Sequence, residues 1–186
     1  TKDDPALMEA LKINVLCNNA SLKEDQEAEA IGDPLEVALL VAGQKVDLHR
    51  KQLIKEMPEE REEAFSTNTK MMATYHKTDN QYYVAVKGAP EAVIETCTRV
   101  KDDDNEIQLE DKQKNKWLEH NEELAKQGLR MLAVASKVVD SKDADPYSEL
   151  SLVGLIAMMD PPRQDVKEAI QLCKKAGLRV VMVTGD

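Results

Sequence analysis

The sequence predicts an α+β fold: an antiparallel sheet flanked by pairs of helices, followed by one βα unit of a parallel sheet. Three observations predict it. Helical periodicity opens the chain and gives way near residue 64 to apolar runs of strand length. Two of those runs flank the polar triplet Thr78-Asp79-Asn80, a hairpin-type turn. At the far end an amphipathic stretch leads into the apolar run Leu178 to Val183, which closes on Thr184-Gly185-Asp186.

Each element follows from local chemistry. Asp4 caps a first helix that Pro5 opens, and Leu7, Met8, Leu11, Val15 and Leu16 recur at helical spacing up to Ala20. Ser21 to Ala30 is a polar, acidic loop. Asp33-Pro34 starts a second helix, with Leu35, Leu39 and Leu40 on one face and Glu36 at the capping-box position. A third helix runs from Asp47 to Glu56 and stops near Pro58. Ala64 to Tyr75 and Gln81 to Val86 are strands, the second closed by Lys87-Gly88. Pro90 opens a helix to about Cys97, and a charged loop, Lys101 to Glu106, leads to a long helix from Glu110 to Gln127. Gly128 stops it. Met131 to Val139 and Leu152 to Met158 are strands joined by a polar loop, Asp140 to Tyr147. Pro161-Pro162 forms a hinge, Gln164 to Ala176 an amphipathic helix stopped by Gly177, and Arg179 to Val183 a last strand. The expected division is 1–158, a hinge at 159–163, and a partial second domain at 164–186.

Composition narrows the partners. The 186 residues are 42% hydrophobic and 32% charged, which suits a globular chain with a sizeable core. A net charge of −10 argues against nucleic acid and anionic lipid, which need a basic footprint. It leaves room for a small polyanion, which two or three well-placed cations can hold. No apolar run approaches the roughly 18 residues of a membrane span. Cys17, Cys97 and Cys173 are widely spaced and read as buried, inert thiols. His49, His76 and His120 lack partners at metal-ligand spacing and read as surface histidines. Neither a Gly-x-x-x-x-Gly-Lys-Ser/Thr loop nor Gly-x-Gly-x-x-Gly occurs, and no Ser/His/Asp or Cys/His constellation has motif context.

Three phrases stand in order: Lys87-Gly88-Ala89-Pro90-Glu91, Met159-Asp160-Pro161-Pro162-Arg163 and Met182-Val183-Thr184-Gly185-Asp186. Together they resemble the cytoplasmic part of P-type cation-transporting ATPases of type II, calcium-pump-like, the ion pumps that pass through an aspartyl-phosphate. The resemblance covers essentially the whole chain. It implies a nucleotide-binding domain, then the first βα unit of a haloacid-dehalogenase-like phosphorylation domain. The opening Thr1 and the closing phrase fit an excised segment.

Residue chemistry and resemblance assign the site together. A lysine at a strand end followed by glycine lets a flat ligand approach backbone while an ammonium faces it, although on chemistry alone a tight turn with a solvated lysine fits better. The resemblance implies that Lys87 and Gly88 line the adenosine pocket. Phe65, the single phenylalanine, suits a core position or a stacking platform. With Lys70 it matches the family's Phe-x-x-x-x-Lys, which implies a ring on adenine and a lysine beside the nucleotide. Asn68 and Thr69 stand where many relatives carry an acidic residue and an arginine, so one cation of that segment is missing. Gly32-Asp33-Pro34-Leu35-Glu36 resembles Gly-Asp-Pro-x-Glu, implying that Glu36 accepts from the adenine amino group while Asp33 caps the helix. Gly128-Leu129-Arg130-Met131-Leu132-Ala133 resembles Gly-x-Arg-x-Leu-Ala, implying Arg130 on the phosphates and Leu132 by the base or ribose. Asp160 and Arg163 are implied at the hinge on the phosphate side. Thr184, Gly185 and Asp186 are implied to face the γ-phosphate and its Mg2+.

No complete metal site and no catalytic residue are expected within these residues. The resemblance puts the phosphorylated aspartate, in Asp-Lys-Thr-Gly-Thr, upstream of Thr1, and a second magnesium-holding aspartate motif downstream of Asp186. It implies that the chain positions ATP for a parent pump, works beside that pump's phosphorylation and actuator domains, and is inactive alone. It also implies the cytoplasmic part of an integral membrane protein, with no direct membrane contact and no nucleic acid partner. Two other classes stay open: a cap-bearing haloacid-dehalogenase-like phosphatase fragment, and a non-enzymatic interaction domain.

Overall fold

In the computed structural model, which describes residues 4–22, 30–102, 105–159 and 165–183, six helices and seven strands form. Aspartate caps start the first two helices. Asp4 accepts from the Leu7 N–H at 2.9 Å ahead of α1, Pro5–Leu16. Asp33 accepts from the Leu35 N–H at 2.8 Å ahead of α2, Pro34–Gln44. There follow α3 (Arg50–Glu56), β1 (Glu59–Ser66), β2 (Met71–Lys77), β3 (Tyr82–Gly88), α4 (Pro90–Thr96), β4 (Cys97–Asp102) and β5 (Asn105–Gln108). The chain continues through α5 (Asp111–Ala125), β6 (Arg130–Val139), β7 (Leu150–Met158) and α6 (Val166–Lys175).

All seven strands join one sheet in the order β1-β2-β3-β6-β7-β4-β5. It is mixed rather than purely antiparallel, because β4 runs parallel to β7. That follows from α4, which carries the chain from the end of β3 across β6 and β7 before β4 begins. A helical crossover of this kind is what a parallel neighbour requires. Helices cover both faces as expected. Residues of α1, α2 and α3 pack with Met72, Tyr83, Ala85, Val134 and Val153 on one face. Residues of α4 and α5 pack with Met71, Tyr75, Val84, Val86 and Leu152 on the other. Tyr83 fastens α1 to the sheet by donating to Glu9 at 2.5 Å.

Several boundaries differ from the sequence reading. The first helix stops at Leu16, short of Ala20, where Asn18 makes its own side-chain bonds. The third begins at Arg50 rather than Asp47, which sits at φ 66, outside helical backbone. The single strand foreseen over Ala64 to Tyr75 is two strands split by a turn ending at Lys70, φ 56. β1 starts earlier, in Glu59-Glu60-Arg61-Glu62-Glu63, whose charge hides a half-buried, half-exposed alternation. The charged loop Lys101 to Glu106 is the β4–β5 hairpin, with Lys101 paired to Glu106 at 2.8 Å.

Among the described residues, Arg179 to Val183 forms no strand, since no ladder partner lies beside it. α6 buries none of its residues, and Leu172 and the run 178–183 stay exposed. The Pro161-Pro162 hinge lies outside the described residues. Cys17 and Cys97 are buried as expected, while Cys173 is only half-buried.

His76 is not at the surface. It is fully buried on β2, with Nε2 2.8 Å from Thr74 Oγ1 and Nδ1 3.2 Å from the Met57 carbonyl. Desolvation, first, pushes its pKa down to about 4, helped by the charges of Arg50 and Lys12. The folded value lies below the unfolded one of about 6.5. Between those values the unfolded chain binds a proton that the folded chain refuses, so stability falls as pH drops. Urea melts at pH 7 and pH 4.5 should show this: His76→Gln is expected to shrink the stability difference by about 2 kcal/mol. An unchanged difference would assign the acid sensitivity to other groups.

Candidate functional site

The register brings four strand ends to one rim of the sheet. Met72 faces Lys87, which faces Val134; Met71 faces Gly88, which faces Ala133; and Ser66 of β1 faces Met71. Strand alternation sends Lys87 to the same face as Ala85, under the α1–α2 layer.

Lys87 is 7% exposed, and an ammonium so placed needs a counter-charge. Glu36, the third residue of α2, supplies it: Lys87 Nζ donates to Glu36 Oε1 at 2.6 Å. The Asn19 N–H donates to Glu36 Oε2 at 3.2 Å. Glu36 therefore does not close a capping box on Asp33; its carboxylate is turned to the sheet. Beneath the pair, Cys17 donates to the Met72 carbonyl at 3.5 Å. Burial pushes its thiol up to about 12, so it stays protonated and unreactive at neutral pH.

The residues holding Glu36 were missed by sequence reasoning. Asn18 is fully buried; its Nδ2 donates to the Glu36 carbonyl at 2.9 Å and the Asn14 carbonyl at 3.1 Å. Its Oδ1 accepts from the Ala20 N–H at 2.8 Å. Asn19 Nδ2 donates to Glu62 of β1 at 2.8 Å. One short segment thus links α1, α2 and the sheet edge. The signal was present: two asparagines directly after an apolar helix are suited to bonding loose backbone groups.

Phe65 is 61% exposed near the end of β1, where the register slips between Glu63 and Ser66. Such irregularities re-aim side chains. Here the slip leaves a large ring uncovered at the rim that holds Lys87. Leu132 is half-buried opposite Ile156, on the Lys87 face, and Arg130 is exposed at the start of β6. Lys70 does not join them, for its ammonium pairs with Glu91 of α4 at 3.2 Å. Gly88 serves a close approach of backbone. A Cβ there would lie 2.4 Å from the Lys70 carbonyl oxygen, which accepts from the Ala89 N–H at 3.0 Å. Asp160, Arg163, Thr184, Gly185 and Asp186 lie outside the described residues. Among the described residues no group of three or more His, Cys, Asp or Glu could hold a metal ion.

The arrangement offers an aromatic face, a buried ammonium paired with a half-buried carboxylate, and an exposed guanidinium along one rim. A family model described as P-type ATPase, cytoplasmic domain N, matches residues 6–165. A calcium-transporting ATPase 1 of Bacillus cereus is 39% identical over 175 residues, covering 92% of this chain and 19% of the relative. A calcium-transporting ATPase 1 of Lactococcus lactis is 34% identical over 190 residues, covering 100% and 21%. A sodium/potassium exporting P-type ATPase of Schizosaccharomyces pombe is 36% identical over 186 residues, covering 95% and 18%. The chain spans about a fifth of the length of these relatives.

The pair is open to a thermodynamic cycle. Glu36→Leu strands the deeper charge and is expected to cost about 3 kcal/mol or more in a urea melt. Lys87→Met strands a carboxylate nearer solvent that keeps the Asn19 N–H, and should cost less. The double variant should recover about 1–3 kcal/mol of the summed losses. Strict additivity would show that the two charges do not support each other.

Proposed function

The chain belongs to the family of the P-type ATPase cytoplasmic domain N, and from that premise we propose that it binds ATP and positions it for phosphoryl transfer. The observation that carries this reading is the Lys87–Glu36 pair at 2.6 Å on the rim that exposes Phe65. Adenine matches it group for group. Its π-face stacks on Phe65, its amino group donates to the Glu36 carboxylate, and a ring nitrogen accepts from the Lys87 ammonium. Leu132 packs beside the base or ribose, and Gly88 keeps the backbone low at the pocket edge. Arg130 provides a planar fork for phosphate oxygens. Lys70 reaches the nucleotide after leaving Glu91, an exposed pairing that is easily given up.

The 186 residues contain no Asp-Lys-Thr-Gly-Thr, so in this reading the aspartate that takes the γ-phosphate belongs to other parts of a larger protein. Mg2+ arrives on the ATP phosphates, and Thr184, Gly185 and Asp186 meet it in the assembled enzyme. Residues 1–158 form the nucleotide-binding unit, 159–163 the hinge, and 164–186 the start of a phosphorylation domain. The exposed apolar residues of α6 and of 178–183 support that division, because such a surface suits strands it does not have here. The parent is a calcium-pump-like, type II cation pump, its phosphorylation and actuator domains the partners of this one on the cytoplasmic side of a membrane.

Affinity should be modest. One stack and a few hydrogen bonds, opposed by a charge of −10, give a Kd on the order of 0.1–10 mM. NMR titration with ATP up to about 20 mM should shift resonances around Phe65 and Lys87. Phe65→Ala should weaken ATP, ADP and adenosine alike, by a factor matching the roughly 1–3 kcal/mol of a base stack. Arg130→Ala should weaken ATP more than adenosine. No shifts around Phe65 and Lys87 would overturn the site, and equal losses for adenosine would move Arg130 from phosphate to packing.

Catalysis provides a separate check. The isolated chain should form no acid-stable phosphoenzyme and hydrolyse no ATP above background. Steady turnover abolished by changing one of its own carboxylates would favour a phosphatase of related fold instead.

A further inference from the structure

A cavity of about 410 Å³ lies between the segment after α1, the last turns of α2, and α3. Its size lies within the range of small-molecule pockets, roughly 300–1,000 Å³. Its walls are apolar: Ala20, Leu22, Leu40, Leu48 and Ile54 line it. Leu40 belongs to the buried core, and Leu22 and Leu48 pack against that core, so the inner wall is rigid. One side is pinned by reciprocal backbone bonds between Ser21 and Ile31, at 2.8 and 2.9 Å. The pocket is therefore held open by the fold itself.

Among the described lining residues, the charged ones are basic. His49, Arg50, Lys51 and Lys55 border it, with Ser21 and Gln44, and no carboxylate is among the described lining residues. That is unusual for a chain with a net charge of −10. The facing acid is Glu59, whose Oε2 accepts from Arg50 Nη2 at 3.2 Å. The Arg50 Nε–H remains buried with no acceptor, a donor in want of one. Apolar walls ending at cations call for a ligand with an apolar body and an anionic head.

We propose that this cavity binds a medium-chain aliphatic carboxylate, its chain against Leu40, Leu48 and Ile54 and its head group between Arg50 and Lys55. The site is independent of the nucleotide reading, since it shares no residue with the rim of Phe65, Lys87 and Arg130.

The probe is sodium decanoate, titrated below its micelle concentration and followed by methyl and amide NMR. Saturable binding is expected with a Kd on the order of 0.1–1 mM, with shifts at Leu40, Leu48 and Ile54. Decanol, which has the chain without the charge, and butyrate, which has the charge without the chain, should each bind at least about tenfold more weakly. Lys55→Glu, a change at an exposed side chain, should weaken decanoate several-fold and leave decanol unchanged. Arg50→Gln should act in the same direction. ATP should not compete. The proposal is overturned if decanoate fails to saturate, if decanol binds equally well, if Lys55→Glu has no effect, or if the shifts centre on Phe65.

Discussion

An ammonium on a central strand is a demand that the surrounding fold must meet. Lys87 sits in β3, between β2 and β6, and only a nearby carboxylate makes its charged form tolerable there. Glu36 can reach it only if α2 begins where it does, and α2 begins there because Asp33 and Pro34 fix its first turn. Asn18 then holds the Glu36 backbone, and Asn19 holds its carboxylate and Glu62 of β1. A chain of polar contacts from sheet edge to helix start thus serves one charge. Removing any member loosens the placement of the others.

The same face explains why the candidate site lies at a rim and not in the middle of the sheet. Farther from the rim, Tyr83 and Ala85 are closed over by α1. At the strand ends the cover thins, so Lys87 can be buried from water yet share a rim with an uncovered Phe65. In the proposed reading, a ligand there gains a stacking surface and two directed polar partners without opening the core. Binding sites in mixed folds commonly combine such an apolar wall with few polar groups.

Much of this was legible in the residues. The helix starts were readable because a capping aspartate followed by proline has a local cause, and the β2–β3 hairpin because its turn is polar and short. Glu36, Phe65 and Lys87 were singled out as candidates, and the structure sets the latter two on one rim with Glu36 reaching across. What could not be read depended on distant partners. Glu59 to Glu63 looked like solvent-exposed charge, and only its place beside β2 makes it a strand. The β4–β5 hairpin was hidden in the same way, and the parallel pairing of β4 with β7 joins residues about fifty positions apart. Conversely, Arg179 to Val183 has the composition of a strand and no neighbour to make it one. His76 looked peripheral because nothing local reports its burial under Met57 and α1.

Gly88 and Gly154 lie in neighbouring regions of the same sheet but would fare differently under mutation over generations. At Gly154 an added methyl would meet nothing within 4 Å, so alanine there is sterically silent and free to drift. At Gly88 the first carbon would collide with the Lys70 carbonyl at 2.4 Å and the Met71 backbone at 2.9 Å, neither of which can swing aside. Any change at 88 would push the end of β3 away from the start of β2 and carry Lys87 with it. The glycine at the end of β3 is therefore locked for as long as those strands meet.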